Sequence, residues 1–340
     1  MIENKDLFIG FKNRQKKYYL TIAVLILILL VLICINMTIG TKNYTLLQVF
    51  STISGKSDEG VYIIKSLRLP RTLAAILCGF AFGVAGNTFQ TMLGNPLASP
   101  DIIGVTSGSS VAAVFGILIL GASRGTCSVM ALVSGLLAAA LIYAIAYNGY
   151  YSNAKLILTG IGAQAFFNAL ISWMLLIASE YDVTTAMRWL SGNLNEVQLD
   201  NIPRLAIAVI VATIVLLILS ESMKALELGD AYAKILGVKV NVARILLIIC
   251  AVVLIAFATS VSGPISSIAF LSGPIATRIC KKGHSNIIPA GLIGAIITIA
   301  ADFVGNTILP TRYPVGVITG ILGAPYLLYL LVNINKGEKI

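Results

Sequence analysis

Asp302, in Ala300-Ala301-Asp302-Phe303, is the one clear ionisable residue inside the long apolar runs of this chain. A carboxylate in such surroundings is a functional hypothesis by default, through proton coupling or through accepting hydrogen bonds from a neighbouring helix. One carboxylate makes no relay, so the structural role is the expectation. The only histidine, His284, lies beside Lys281 and Lys282 with no second histidine and no nearby carboxylate, which is no metal-ligand set. Cys34, Cys78, Cys127, Cys250 and Cys280 show no C-x-x-C spacing and read as small buried hydrophobes. Gly55-Lys56-Ser57 has the ending of a phosphate-binding loop, but that motif requires glycine where Phe50 stands. With no Ser/His/Asp or Cys/His arrangement, the expectation is no catalytic residue and no metal site. Energy would then come from an ion gradient or a separate ATPase chain.

Uncharged polar residues recur at helical spacing. Asn87, Gln90 and Thr91 share one helix face and Gln164 and Asn168 another. Each set either lines a cavity or hydrogen-bonds a neighbouring helix. A pathway of amides, hydroxyls and glycine suits a bulky polar solute or chelate better than a bare cation, which wants carboxylates or histidines. Ser267 and Ser272, in the Gly/Pro-punctuated run Ser266 to Ala276, join the candidate pathway set. Lys65, Arg68 and Arg71 cluster around Arg68-Leu69-Pro70-Arg71, either to receive an acidic partner or to snorkel at a helix start. Asp230 to Leu236, flanked by Gly229 and Gly237, can form a short helix, as a docking surface or a solvated connection.

The elements that must position these residues follow from composition. Of 340 residues 58% are hydrophobic and 11% charged, with a mean hydropathy of +0.93. A soluble chain carries about 25% charged residues, so a soluble globular domain is excluded. Apolar stretches lie near 18–39, 70–92, 102–120, 126–147, 155–178, 203–220, 242–261, 265–280, 287–306 and 315–333. At about 20 residues per crossing they read as about ten transmembrane helices of an all-α polytopic membrane protein. The first run follows Lys12, Arg14, Lys16 and Lys17 but is too long for a signal-peptide core and lacks a cleavage-like site, so it reads as a retained span. With both termini cytoplasmic, fifteen of the 24 basic residues fall inside: Lys5, Lys12, Arg14, Lys16, Lys17, Lys155, Lys224, Lys234, Lys239, Arg244, Arg278, Lys281, Lys282, Lys336 and Lys339. The net charge of +10 is therefore a topology signal and gives no reason to invoke nucleic acid. The loop from Ser179 to Pro203, with Glu180, Asp182, Glu196 and Asp200 against Arg188 and Arg204, fits the outside. The organisation is a tail over 1–17, a single transmembrane domain over 18–333 with a cytoplasmic segment over 221–244, and a tail over 334–340.

Gly94 to Pro100 follows the second span, and Gly263-Pro264 and Gly273-Pro274 surround the eighth. Broken backbone at membrane depth is tolerated only where it is buried in protein or lines a wet cavity. A break after span two and another after span seven is compatible with an inverted repeat of spans two to five and seven to ten.

Arg68 to Arg71, Gly86-x-x-x-Gln90, and Gly94-Asn95-Pro96-Leu97-Ala98-x-Pro100-x-x-x-Gly104-Val105 resemble the FecCD-type permeases of ABC importers for iron-siderophores, heme and cobalamin. The likeness continues in order through Arg188-Trp189-Leu190-x-Gly192, Leu228-Gly229-Asp230 to Leu236-Gly237-Val238, and Pro314-Val315-Gly316-Val317 with Gly323-Ala324-Pro325. The resemblance implies a multi-pass subunit of the bacterial plasma membrane with the FecCD-type permease fold. It pairs with a second permease subunit, identical or different, and with two cytoplasmic ATPases that use ATP and Mg, while an extracytoplasmic binding protein delivers the solute; this chain holds no cofactor. It assigns docking of the binding protein to Arg68 and Arg71, and ATPase coupling to Leu228, Gly229, Asp230, Ala231, Ala233, Lys234, Leu236 and Gly237. Where relatives often carry an arginine after the span-nine aspartate this chain has Asn306, and Arg312 stands as the third docking arginine. Many relatives carry a histidine after the Gly-Pro turn; this chain lacks it, and Phe270-Leu271-Ser272-Gly273-Pro274-Ile275-Ala276 resembles the catecholate-siderophore branch. The expected solute is thus an iron(III)-siderophore, with heme or cobalamin as the alternative. A gradient-driven transporter would need more titratable groups in the bundle than Asp302.

Overall fold

The computed structural model describes residues 2–147, 153–195, 197–280 and 285–335. Glu196, Lys281, Lys282, His284, Lys336 and Lys339 lie outside them, as do the side chains of Lys5 and Lys12. The described chain is helical and contains no β-strand. Fourteen α-helices follow in order: α1 (Ile2–Thr38), α2 (Leu46–Ile53), α3 (Leu69–Leu93), α4 (Val105–Leu118), α5 (Arg124–Ala146), α6 (Asn153–Ile177), α7 (Glu180–Leu190), α8 (Ile202–Ile218), α9 (Ser220–Glu227), α10 (Asp230–Ile235), α11 (Val240–Ser262), α12 (Ile268–Ile279), α13 (Ile287–Phe303) and α14 (Val315–Asn335).

Each of the ten apolar stretches falls on one of these helices. Seven helical segments, on α1, α3, α5, α6, α8, α11 and α13, are long and apolar enough to cross a membrane, while Val105–Leu118, Ile268–Ile279 and Val315–Leu330 are shorter. At 1.5 Å per residue α4 is about 21 Å long, short of a core of about 30 Å. The Gly/Pro-rich breaks before α4 and α12 consume the missing length. Three further departures from the sequence expectation concern local polar segments. α1 begins at Ile2, so the basic tail continues the first helix. The loop after α6, expected outside, folds as α7, started by the Ser179 hydroxyl accepting from Asp182 N–H. The loop after α1 folds as α2 behind a capping box of Thr45 and Gln48. Of the five cysteines, four are buried as expected but Cys34 is exposed on α1.

α3 is the axis of the bundle, packed mainly against α13, α11 and α12. Its small residues explain how three helices close on one. A Cβ on Gly79 would lie 2.3 Å from Thr298 Oγ1 and 2.5 Å from the Gly294 carbonyl oxygen, and one on Gly86 would lie 1.8 Å from the Ala269 carbonyl oxygen. Such backbone-to-backbone approach drives helix association where lipid removes the hydrophobic incentive.

Between α11 and α12 the chain runs unwound over residues 263–267, with Gly263 and Ile265 buried and Ser266 exposed. Carbonyls at this break find partners: Thr319 Oγ1 of α14 donates to Ser266 O at 2.8 Å, and Asn193 N–H donates to the carbonyl of Ser262, the last residue of α11, at 2.7 Å. Ser267 enters α12 with φ 69°, the only non-glycine residue in the left-handed region among those described. Gly104 enters α4 with the same φ of 69°. The two breaks therefore end on the same backbone device.

Candidate functional site

Two surfaces gather most of the chemistry. The first is a cavity of about 150 Å³ where the end of α1, the start of α3 and the end of α13 meet; its walls include Asn36, Arg68, Arg71, Asn195, Asn306 and Arg312. The three candidate docking arginines thus converge on one vestibule. It is flanked by two π-helical turns, Tyr62–Arg68 before α3 and Val304–Ile308 after α13. Such turns are rare and often mark functional sites.

Inside the vestibule the arginines differ. Arg71 Nε donates to Asp302 Oδ2 and its Nη2 to Asp302 Oδ1, both at 2.7 Å, while Nη1 donates to Asn195 Oδ1. The Asp302 side chain is 3% exposed and that of Arg71 14%. Asp302 is therefore the acceptor of a bidentate ion pair across α3 and α13, which is the structural role expected of it. Arg68 donates from Nη1 to Met37 O at 2.8 Å and from Nη2 to Lys42 O at 2.6 Å, and sits 5.4 Å from the centre of the Tyr44 ring. Met37 lies in the last turn of α1, where carbonyls lack intrahelical donors and a cation is favourable. Arg312 is exposed and makes no hydrogen bond or ion pair within the described residues.

The second surface is the connection through α9 and α10. Gly229 at φ 100° and Gly237 at φ 80° bracket α10, as the flanking glycines of the sequence implied. Arg244 of α11 is buried and grips Asp230, Nη2 to Oδ1 at 2.7 Å and Nη1 to Oδ2 at 3.1 Å. That hydrogen bonding, ahead of an opposing desolvation effect, holds the Asp230 carboxyl below its ordinary pKa. Ala233 is fully buried, whereas Leu228, Tyr232, Ile235 and Leu236 stand out, Ile235 at 81% exposure. A contiguous exposed apolar patch on a polar segment marks a surface for a partner.

The seven candidate pathway residues do not form one site. Asn87 and Gln90 are buried in the α3–α12 seam, where Gln90 Nε2 donates to Phe270 O at 3.0 Å. Asn87 Nδ2 and Gln90 Oε1 are buried there without a hydrogen-bond partner. Ser272 turns back to Ile268 O at 2.7 Å within α12, and Thr91 is half-buried one turn beyond Asn87. Gln164 is half-buried and Asn168 exposed on α6, a helix with little of its apolar surface covered. Ser267 borders a sizeable cavity, about 490 Å³, together with Ser99, Asp101, Phe270, Gly320 and Gly323. The interhelical alternative therefore holds for Gln90, and the open face of α6 keeps Gln164 and Asn168 available.

Sequence reasoning passed over Asn195, Tyr44, Tyr232 and Ile235. Asn195 sits on an irregular loop with no periodicity to flag it. Tyr232 and Ile235 were readable as apolar residues on a short polar segment. The Arg71–Asp302 pairing joins residues 231 apart, which one sequence cannot show.

These features define a helical protein with segments fit to span a membrane and two separate exposed surfaces. The model of the FecCD transport family matches residues 28–333, and the chain belongs to that family. Ferric enterobactin transport system permease protein FepG of Escherichia coli (strain K12) is 35% identical over 291 residues, 85% of this chain and 88% of that protein. Fe(3+)-citrate import system permease protein YfmE of Bacillus subtilis (strain 168) is 35% identical over 322 residues, 94% and 96% of the two chains. A solved chain described as an inward-facing conformation of a metal-chelate type ABC transporter superposes with a TM-score of 0.81 at 26% identity, covering 93% of this chain and 99% of its own.

Proposed function

We propose that this chain is the permease subunit of an ATP-driven ABC importer that carries an iron(III)-siderophore of the catecholate type into the bacterial cytoplasm. The observation that carries this reading is the placement of two unlike partner surfaces at the two ends of α11. Its start holds the α10 segment through Arg244, and its end adjoins the loop whose Asn195 reaches Arg71. The two anchoring residues, Arg244 and Ser262, lie about 27 Å apart along α11, close to the thickness of one membrane crossing. An arginine vestibule on one side suits an acidic delivering protein, and an exposed apolar patch on the other suits an ATPase cleft. Names of relatives for ferric enterobactin and ferric citrate support an iron chelate as the solute. The catecholate assignment rests on the Phe270 to Ala276 run.

In this reading about ten helices cross with both termini cytoplasmic, and two permease subunits meet along the open face of α6, where Gln164 and Asn168 border the pathway. Ser267 lies on the unwound segment that borders the second cavity. Docking of the delivering protein uses charge, which sets orientation and encounter rate more than affinity. Closure of the ATPase pair moves α10, and through the Asp230–Arg244 grip moves α11 as a rigid body.

The deciding experiment is uptake of labelled ferric catecholate, ferric hydroxamate, heme and cobalamin by iron-limited cells with and without the chain. Loss of ferric catecholate uptake alone is the expected result. Loss of only heme or cobalamin uptake would keep the architecture and overturn the solute.

A further inference from the structure

We propose that the three arginines of the vestibule serve two different roles. Arg68 and Arg312 present charge to an acidic partner, while Arg71, clamped by Asp302 and Asn195, is a positioning residue that contributes no docking charge. The proposal rests on the reading of this face as a docking surface and departs from the assignment of Arg71 that the family resemblance carries.

Both oxygens of Asp302 are taken by Arg71 at 2.7 Å, and the Asn195 amide oxygen takes a third donor of the same guanidinium. The pair is net neutral, so at a distance an approaching carboxylate meets a short dipole rather than a cation. Turning Arg71 outward would leave Asp302, at 3% exposure, as an uncompensated buried charge, among the most destabilising changes a fold can suffer. Arg68 differs because its donors go to the carbonyl oxygens of Met37 and Lys42, which hold the guanidinium in place without cancelling its charge. Arg312 is exposed on the same rim. At about 150 Å³ the cavity has the room of about five waters, enough for the head of one acidic side chain and too little for a chelate. The neutral pair is then the floor of the vestibule. It ties α3 to α13 and fixes the separation of the two cations that flank it.

The experiment uses the full chain in nanodiscs and a fluorescent hexaglutamate peptide as probe, titrated from low to physiological salt. The paired neutralisation Arg71→Gln with Asp302→Asn should bind within about twofold of the unaltered chain, with the same salt slope. Arg68→Gln with Arg312→Gln should weaken binding about tenfold or more at low salt and flatten the slope. Asp302→Asn alone, which frees a cation, should tighten binding. Equal losses from the first pair and the second would overturn the division, and so would absence of any binding by the unaltered chain. If the paired neutralisation does not fold, the exchanged pair Arg71→Asp with Asp302→Arg decides in its place. The same variants are then scored by radioiron-chelate uptake in cells lacking the native chain. Peptide binding that follows the predicted order while the unaltered chain supports no uptake would sink the transport reading and leave the division of charge standing.

Discussion

Asp302 shows how a residue's type and its role separate. A lone carboxylate in an apolar helix invites a proton-coupling role, yet its two oxygens are fully engaged by Arg71 across the α3–α13 seam. Removing one partner of such a pair strands the other. Asp302→Ala should therefore cost about 3–5 kcal/mol of stability, read as an earlier thermal transition in detergent, with Asp302→Asn costing less. A second carboxylate, Asp230, carries a pH prediction. Its pKa is lowered in the folded state by the Arg244 hydrogen bonds. The stabilisation is therefore complete above the ordinary carboxylate value of about 3.9 and is lost as pH falls through the lower folded value. Hydrogen exchange of the α10 amides should stay slow down to that acidic range and then accelerate, and Asp230→Asn should show the faster exchange already at neutral pH. Because Asp230 is half exposed, the effect should stay local to α10.

Among the elements, α3 is specified by what it lacks. Gly79, Gly83 and Gly86 form the face on which α13 and α12 lie, and a methyl group on Gly86 would meet the Ala269 carbonyl oxygen at 1.8 Å. Gly86→Ala should therefore push α12 off α3 and lower the folded yield severely. Gly125→Ala, where a Cβ meets nothing within 4 Å, should leave yield and melting temperature unchanged. Fluorescence-detected size exclusion of the two variants compares them directly. The G-x-x-x-G spacing of Gly79 and Gly83 was on view in the sequence, but which neighbours it admits was not, because that depends on α13 returning antiparallel beside it. The breaks in α-helix over 94–104, which hold a 3-10 turn at Pro100–Ile103, and over 263–267 were legible from Gly and Pro alone. That each ends on a left-handed residue, Gly104 in one and Ser267 in the other, was not.

For the molecule as a whole, the surfaces left uncovered are as informative as the core. Helix α6 keeps most of its apolar side open, and the α10 region exposes Leu228, Tyr232, Ile235 and Leu236 together. On the proposed function, Ile235→Asp with Leu236→Asp should abolish co-purification of the proposed ATPase subunits without moving the melting temperature of the isolated chain. Retention of the ATPase by that variant would remove the coupling role from α10.

The sequence by itself determined the class: 58% hydrophobic residues with 11% charge in separated apolar runs can be satisfied only by helices in a membrane, because each run must hydrogen-bond its own backbone there. It also determined the breaks at Gly94 to Pro100 and at Gly263-Pro264, the short α10 and the family, since these are local patterns of glycine, proline and motif spacing; Gly273-Pro274, marked in the same way, instead lies inside the continuous helix α12. Tertiary structure alone decided which polar groups are free. Arg68, Arg71 and Arg312 look alike in a string of letters, and only the return of α13 beside α3 brings Asp302 to one of them and leaves the other two without a carboxylate partner among the described residues. Likewise Gln90 and Asn168 share a polar amide and a helical spacing, and the seam that buries the first and the open face that displays the second exist only once the helices have packed.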